Sequence, residues 1–372
     1  MSTEPEKKTE EGFSLKEFFK KIKKPLFVVI FILINVVVIA LTAISEFGNS
    51  ENALKFAEVK INWWLIIPAA LCFGIAIKIE VSKYVMMMHE AGKISGHNKL
   101  VKAWKTARRT VLLGKYYDNI TPAAIGGQPF QIYYMHKHGG LSEGMSTTIP
   151  IIGMISNQIG FLIVAAVTFL IGSLSINNAA LMATACFGLL FYAFWPIAIM
   201  IATFLPGTTA ELITIFVKFF AKIHLIKDRD AAIKKVQNGV NDYAKCVRQI
   251  LKTHGLFSKT ILMSIAFHVL VSSIPFFVLT AFGGQVDFLP CFVTTVAVTS
   301  AVYFVPTPGN AGAAEGTFFL VFSALSSGYV FWAMLVWRFF SYYIYIIMGI
   351  NVYIAMHFEK KRKLKNEKQK SD

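Results

Sequence analysis

The sequence contains twenty consecutive uncharged residues between Pro25 and Ile44, PLFVVIFILINVVVIALTAI, and similar apolar stretches recur as far as His357. An α-helix of about twenty apolar residues crosses a hydrocarbon layer of roughly 30 Å, and it satisfies its own backbone hydrogen bonds there. Because 55% of the residues are hydrophobic and only 16% are charged, a water-soluble core is excluded as the main architecture. The pattern predicts an all-α, polytopic helical membrane bundle.

The apolar stretches predict about eight membrane spans. They are expected at residues 25–44, from Trp63 to near Lys78, and at about 149–173, 180–204, 260–281, 288–305, 317–324 and 329–356. The seventh stretch is short, which leaves a re-entrant segment open as an alternative to a full crossing. We interpret residues 25–357 as one integral membrane domain in two pseudo-symmetric halves.

The basic residues, which give a formal net charge of +16, lie beside the apolar stretches. A polar arm, 1–24, and a basic tail, 358–372, are both expected on the cytoplasmic side of the cytoplasmic membrane. The segments 83–115 and 206–259 predict amphipathic helices at the inner face, with a solvated loop as the alternative for the first. Membrane topology and anionic inner-leaflet headgroups explain this charge, so no DNA partner is expected.

No motif predicts a metal site, a nucleotide site or another cofactor. The four cysteines are widely scattered and form no Cys-x-x-Cys pair. The sequence also contains no P-loop, dinucleotide fingerprint, His-Glu-x-x-His motif or nucleophile elbow. We therefore expect neither a cofactor nor the chemistry of a soluble enzyme.

Two segments rich in proline and glycine interrupt the helical pattern, TPAAIGGQP at 121–129 and PTPGNAGAAEG at 306–316. Broken backbone at membrane depth lines a cavity, and paired breaks in two halves of a transporter mark its binding site. Two cytoplasmic turns are the alternative. The candidate residues are Pro122, Gly126, Gly127, Pro129, Pro306, Pro308, Gly309 and Gly312.

Ionisable residues inside apolar sequence are costly in a membrane and need partners. Glu315 follows the second break, and Arg338 lies within LVWRFFSYYIYIIMG, so we expect these two to pair. Arg338 is suited to hold a lipid phosphate while Glu315 orients or releases it, and a purely structural pair is equally open. N–H groups exposed at the breaks would add phosphate donors. Asn35, Asn157 and Gln158 are interpreted as interhelical hydrogen-bonding residues, and His268 is interpreted as a histidine whose hydrogen bonds are satisfied within the bundle.

The two breaks and the arginine-bearing last span resemble a known family. PAAIGGQPFQIYYMHKHG (122–139), PTPGNAGAAEGTFF (306–319) and VWRFFSYYIYIIMG (336–349) are similar to the transmembrane region of the lysylphosphatidylglycerol synthase family, the flippase half of the multiple peptide resistance factor. The resemblance covers nearly the whole chain. It implies an inner-membrane protein that moves or presents a phospholipid or glycolipid between leaflets. Asn310 departs from the family's frequent Pro-Gly-Gly.

Three functions are consistent with the sequence. The leading hypothesis is a flippase-like translocase for an anionic or aminoacylated phospholipid or a glycolipid. The alternative is a phosphatidylglycerol lysyltransferase with lysyl-tRNA as donor. Family members carry out that reaction in a large cytosolic domain, which we expect to be missing because the chain stops at Asp372, soon after its last span. A scaffold subunit without transport activity is the third hypothesis, and a homo-oligomer is left open.

Overall fold

The computed structural model describes residues 61–94, 103–124, 126–172, 179–222, 228–323 and 330–371, together with the single positions Val37, Ala40 and Ile44. The polar arm 1–24 and all but three positions of the first predicted span therefore lie outside the described residues. Within the described part, the secondary structure is helical and contains no strand.

The helices are α1 (Ile66–Ile94), α2 (Ala103–Ile120), α3 (Gly127–His138), α4 (Glu143–Gly172), α5 (Ala179–Phe204), α6 (Pro206–Lys222), α7 (Arg229–Lys252), α8 (Leu256–Ala281), α9 (Phe288–Val302), α10 (Ala313–Ser323), α11 (Val330–Arg338) and α12 (Ile344–Ser371). A π-helical turn, Phe339–Tyr343, joins α11 to α12. Short 3₁₀ turns lie at Trp63–Leu65, Pro122–Ala124 and Pro308–Asn310.

Five helices of the described residues are long and apolar enough to cross a membrane. They are Trp63–Ile94, Glu143–Gly172, Ala179–Phe204, Leu256–Ala281 and Val330–Glu359, and Phe288–Val302 is a shorter apolar helix. The predicted fold class, an all-α helical membrane bundle, is confirmed. The count of about eight spans stays a prediction.

The predicted end of the second span near Lys78 is wrong, because α1 continues without interruption to Ile94. The later turns of α1 contain Glu80 and Lys83, which are only 3% and 0% exposed. These charges do not end the helix because they neutralise each other inside the bundle. The first part of the predicted amphipathic segment 83–115 therefore belongs to α1.

Helix α8 lies at the centre of the bundle, where it packs along α1 and α4 and also contacts α9 and α11. Glycines allow the closest approaches between helices, as is common in membrane bundles. A Cβ atom at Gly160 of α4 would meet the backbone of α8 at Ile265 at 3.0 Å, and a Cβ atom at Gly188 of α5 would lie 1.9 Å from the Ser300 carbonyl oxygen of α9.

Helices α6 and α7 occupy the predicted segment 206–259 and pack against each other. The Asp228 carboxylate caps α7 by accepting a hydrogen bond from the Ala231 N–H at 3.0 Å. Arg248 of α7 donates to the carbonyl oxygens of Thr203 and Phe204 at the end of α5, both at 3.2 Å. These bonds fix the α6–α7 pair to the spanning helices; its place at the inner face stays a prediction.

The beginning of α2 is attached to the middle of α12 by charged groups. The Glu359 carboxylate accepts a hydrogen bond from Lys105 at 2.7 Å and two from Arg109, at 2.7 and 3.1 Å. Nearer the centre, the hydroxyl groups of Tyr117 and Tyr353 hydrogen-bond to each other. The contacts of Glu359 join residues of two segments that the sequence assigned to one side of the membrane, since Lys105 and Arg109 belong to 83–115 and Glu359 belongs to 358–372.

Replacing Gly188 by alanine tests the close approach of α5 and α9. The added methyl group has no room beside the Ser300 carbonyl oxygen, so we expect a loss of about 1–3 kcal/mol in the free energy of unfolding. Gly74→Ala is the control, because a Cβ atom there meets nothing within 4 Å. Unfolding in mixed micelles measures both variants, and equal stability of the two would contradict the packing.

Candidate functional site

The first break lies between α2 and α3 and is held by two side chains. The Gly126 N–H donates to Thr121 Oγ1 at 2.9 Å, and the Gly127 N–H donates to Asp118 Oδ1 at 3.1 Å. A Cβ atom at Gly127 would lie 2.0 Å from that carboxylate oxygen, so a larger residue would displace the Asp118 side chain. Burial raises the pKa of the Asp118 carboxyl to about 6, although Lys115 and the Gly127 N–H both lower it.

The second break, between α9 and α10, requires unusual backbone angles. Gly309 has φ 59°, and a Cβ atom there would lie 2.1 Å from the Tyr342 ring. Asn310 has φ 54°, and its side-chain amide donates to the Val302 carbonyl oxygen at 3.0 Å. Because asparagine tolerates the left-handed region better than most residues, Asn310 can replace a glycine here.

Glu315 and Arg338 form the predicted pair, which links α10 to α11. Arg338 Nε donates to Glu315 Oε1 at 2.6 Å, and Arg338 Nη2 donates to the Gly309 carbonyl oxygen at 3.1 Å. Glu315 Oε2 also accepts the Gly312 N–H at 2.8 Å. Both charged residues are buried, with exposures of 2% and 4%. One ion pair thus fastens the second break to the last spanning helix.

The π-helical turn that follows Arg338 carries two unsatisfied hydroxyl groups. Ser341 Oγ and Tyr342 Oη are buried and make no hydrogen bond within the described part of the chain. The Arg338 guanidinium lies 4.8 Å from the centre of the Tyr342 ring, so this tyrosine adjoins the ion pair. Buried polar groups are nearly always hydrogen-bonded, and π-helical turns are frequent at functional sites. These hydroxyl groups are therefore candidates for binding a polar ligand.

The structure brings the two breaks together. The turn Pro122–Ala124 contacts the turn Pro308–Asn310, and α2 contacts both turns. Pro122, Pro129 and Pro306 are exposed, Gly126, Gly309 and Gly312 are half-buried, and Gly127, Pro308, Glu315 and Arg338 are buried. The roles of these residues in lipid binding stay predictions.

The expectation that the breaks expose free N–H groups for a phosphate is wrong for three glycines. Gly126 donates to a threonine hydroxyl, while Gly127 and Gly312 donate to carboxylates. The reason is that buried backbone donors need acceptors, and nearby side chains supply them. A phosphate would have to replace a carboxylate at either break.

A second buried ion pair, which the sequence analysis missed, lies where α1, α4 and α8 meet. Lys83 Nζ lies 2.8 Å from Glu80 Oε2 and donates to Asn157 Oδ1 at 2.7 Å and to Ser264 Oγ at 3.0 Å. The Asn157 amide donates to Glu80 Oε1 at 2.9 Å, and His268 Nε2 bonds to the Asn157 carbonyl oxygen at 3.0 Å. The interhelical hydrogen bonds predicted for Asn157 are confirmed, and so is the satisfied state of His268. Gln158 Oε1, in contrast, makes no hydrogen bond within the described residues, and Asn35 lies outside them.

A signal for this pair was present in the sequence. Glu80 and Lys83 stand three residues apart in IKIEVSKYV, a spacing that places them on one face of a helix. Lys115 of α2, which interacts electrostatically with both residues, gave no such signal, because its position depends on the tertiary fold.

An apolar groove of about 410 Å³ runs between α4 and α5. Its lining consists of Ile159, Leu162, Ala193, Pro196, Ile197, Met200, Ile201, Phe204 and Leu205. The groove has no polar lining and includes neither break, so it suits an acyl chain better than a headgroup.

Removing one partner of the Glu315–Arg338 pair should be more harmful than replacing both. Glu315→Ala leaves a buried guanidinium without its counter-ion, which costs about 3–5 kcal/mol. The double variant Glu315→Leu, Arg338→Met leaves no buried charge at this site. Its free energy of unfolding should be closer to that of the wild type. Denaturation in mixed micelles measures both variants. Wild-type stability of Glu315→Ala would contradict the pair as described.

The comparisons with known proteins agree with this architecture. The sequence profile described as "Lysylphosphatidylglycerol synthase TM region" matches residues 26–349, which include both breaks, Glu315 and Arg338. No curated protein and no solved structure matches the chain. Since the profile covers most of the sequence, the predicted resemblance is confirmed, and this multi-pass helical membrane protein belongs to the lysylphosphatidylglycerol synthase transmembrane-region family.

Proposed function

We propose that the protein is a lipid translocase of the cytoplasmic membrane, with both termini in the cytoplasm. Its substrate is an anionic or aminoacylated phospholipid or a glycolipid with a phosphate-bearing headgroup. Membership of a family related to lysylphosphatidylglycerol synthesis or flipping supports a lipid substrate. Beyond this support for a lipid substrate, the proposed activity is movement of the headgroup between the leaflets.

The observation that carries this proposal is the set of polar groups around Arg338. A buried guanidinium, the Tyr342 side chain with its unpartnered hydroxyl group and a broken backbone segment lie together, and the preceding Ser341 carries a second buried hydroxyl group without a partner among the described residues. Buried hydroxyl groups without partners are costly within a membrane bundle unless they serve a ligand. A phosphate supplies the acceptor oxygens that Arg338, Ser341 and Tyr342 would bind.

Exchange of one anion for another is the proposed mechanism at this site. Glu315 holds Arg338 while no headgroup is bound, and an incoming phosphate takes the place of the carboxylate on the guanidinium. Because both are anions, the buried site never contains an unpaired cation during the exchange. Glu315 also holds the Gly312 N–H, so its release would loosen the second break. The acyl chains stay in the hydrocarbon layer, where the apolar groove suits one of them.

Tyr342→Phe tests the site without altering its charge or its ring packing. The hydroxyl group has no partner within the described residues, so its loss should leave the free energy of unfolding unchanged or slightly higher. If the hydroxyl group binds the phosphate, its loss removes a charge-assisted hydrogen bond of about 1.5–3 kcal/mol and slows transport about tenfold or more. Transport of fluorescent phosphatidylglycerol between the leaflets of proteoliposomes measures the rate.

Tyr133→Phe is the control for this variant, because it removes the hydroxyl group of an exposed tyrosine on α3. We expect it to transport at the wild-type rate. A Tyr342→Phe variant that also transports at the wild-type rate would argue against a headgroup site beside Arg338. A wild-type protein that moves neither phosphatidylglycerol nor its lysyl form would reject the translocase itself and leave the scaffold hypothesis.

The lysyltransferase alternative has a separate readout. Lipid extracts from a host without any synthase, expressing this chain alone, would then contain lysylphosphatidylglycerol. The translocase proposal predicts no new lysyl lipid in these extracts.

A further inference from the structure

Four charged side chains gather between α1 and α2, and we call Glu80, Lys83, Lys115 and Asp118 the charge cluster. Glu80 and Lys83 form the buried pair with a contact of 2.8 Å. Lys115 interacts electrostatically with Glu80, Lys83 and Asp118, and its ammonium group lies 5.7 Å from the centre of the Phe267 ring. Glu80 and Lys83 are buried, whereas Lys115 and Asp118 are half-buried.

The charge cluster has no net charge when its two carboxylates and two ammonium groups are ionised. One added proton makes it positive, which is costly in a medium of low dielectric constant unless an anion lies close by. An anionic headgroup beside the charge cluster adds a negative charge, which offsets the positive charge of the proton. Proton and anion therefore favour each other's binding, and thermodynamic linkage makes this coupling reciprocal.

Helix α2 connects the charge cluster to both breaks. Asp118 accepts the Gly127 N–H of the first break at 3.1 Å. The neighbouring Asn119 adjoins the second break, since its side-chain oxygen would lie 3.3 Å from a Cβ atom at Gly309. The Gly309 carbonyl oxygen, in turn, accepts a hydrogen bond from Arg338. Asp118 and Asn119, which are neighbours on α2, therefore adjoin the first and the second break respectively, and the second break contacts Arg338 of the proposed headgroup site.

The other titratable groups around the charge cluster come from several helices. They are Tyr84 on α1, Tyr192 on α5, His268 on α8, Tyr303 directly after α9 and Tyr345 on α12. Tyrosine is ordinarily neutral near pH 7. His268 bonds to the Asn157 carbonyl oxygen and hence donates the proton of Nε2 there. Asp118, whose half-buried carboxylate accepts the Gly127 N–H at the first break, is the carboxylate of the charge cluster to which the further proton is assigned.

We propose that the charge cluster binds one proton for each anionic headgroup that the protein moves, so that lipid transport is coupled to proton transfer. This inference rests on the proposed translocase function. The proton comes from water on one side of the membrane, binds a carboxylate oxygen and returns to water on the other side, and no other bond forms or breaks.

Glu80→Gln and Asp118→Asn test the coupling, because each replaces a carboxylate by a neutral amide of the same shape. The chain offers a matched control in Glu90→Gln. Glu90 pairs with Lys93 at 2.7 Å on the same helix and with the same spacing as the Glu80–Lys83 pair, but on the surface. The experiment measures transport of fluorescent phosphatidylglycerol in proteoliposomes between pH 5.5 and 8, with a pH-sensitive dye inside.

The wild type and Glu90→Gln should transport faster as the pH falls, by up to about tenfold per pH unit, and should move protons with the lipid. Glu80→Gln and Asp118→Asn should transport at a rate independent of pH and move no protons. A wild-type rate that does not change with pH would overturn the proton coupling but not the translocase function. The same holds if both variants keep the pH dependence and the proton movement. A wild type that moves no phosphatidylglycerol at any pH would overturn the translocase as well.

Discussion

Neutralisation of charge inside the helical bundle is the constraint on which the rest of the structure depends. The pairs Glu80–Lys83 and Glu315–Arg338 are almost completely buried, although the surrounding helices are apolar enough to lie in a membrane. An unpaired charge at such positions would cost several kcal/mol. Each pair also joins separate parts of the chain, since the first lies where α1, α4 and α8 meet and the second fastens α10 to α11.

The two breaks solve the problem of unpaired backbone donors in the same way. Asp118 accepts the N–H of Gly127 at the first break, and Glu315 accepts that of Gly312 at the second. A carboxylate at the N-terminus of a helix accepts a hydrogen bond from a backbone N–H group and is stabilised by the positive end of the helix dipole. The same features would favour a phosphate. The proposed function therefore rests on competition between an internal anion and a lipid anion, rather than on a preformed open site.

The sequence predicted a helix well where its apolar stretch contained no charged residue. The helix Ala179–Phe204 lies almost where the apolar stretch 180–204 placed it. The end of α1 was misplaced because Lys78 and Lys83 were interpreted as marking the membrane boundary, whereas Lys83 is neutralised within the same helix. A hydropathy pattern counts charges but does not show which of them are paired.

The candidate site was only partly predictable. Glu315 and Arg338 could be paired from the sequence because each is an isolated charge in apolar surroundings. The acceptors of the glycine N–H groups could not, because Thr121 and Asp118 gain that role only through the path of the chain at the break. The approach of Lys115 to Glu80 depends likewise on how α2 packs against α1, which no local pattern encodes.

The proposed transport mechanism requires that a lipid phosphate take the place of Glu315 on the Arg338 guanidinium. Solid-state NMR of the protein in phosphatidylglycerol bilayers, with ¹⁵N in the arginine side chains, measures the dipolar coupling between guanidinium nitrogen and lipid phosphorus. Assignment to Arg338 follows from a signal that is missing in Arg338→Lys. We expect a dipolar coupling that corresponds to a nitrogen–phosphorus distance of about 4 Å, the separation in a direct guanidinium–phosphate contact. A guanidinium signal of Arg338 without coupling to phosphorus in the lipid-saturated membrane would contradict it.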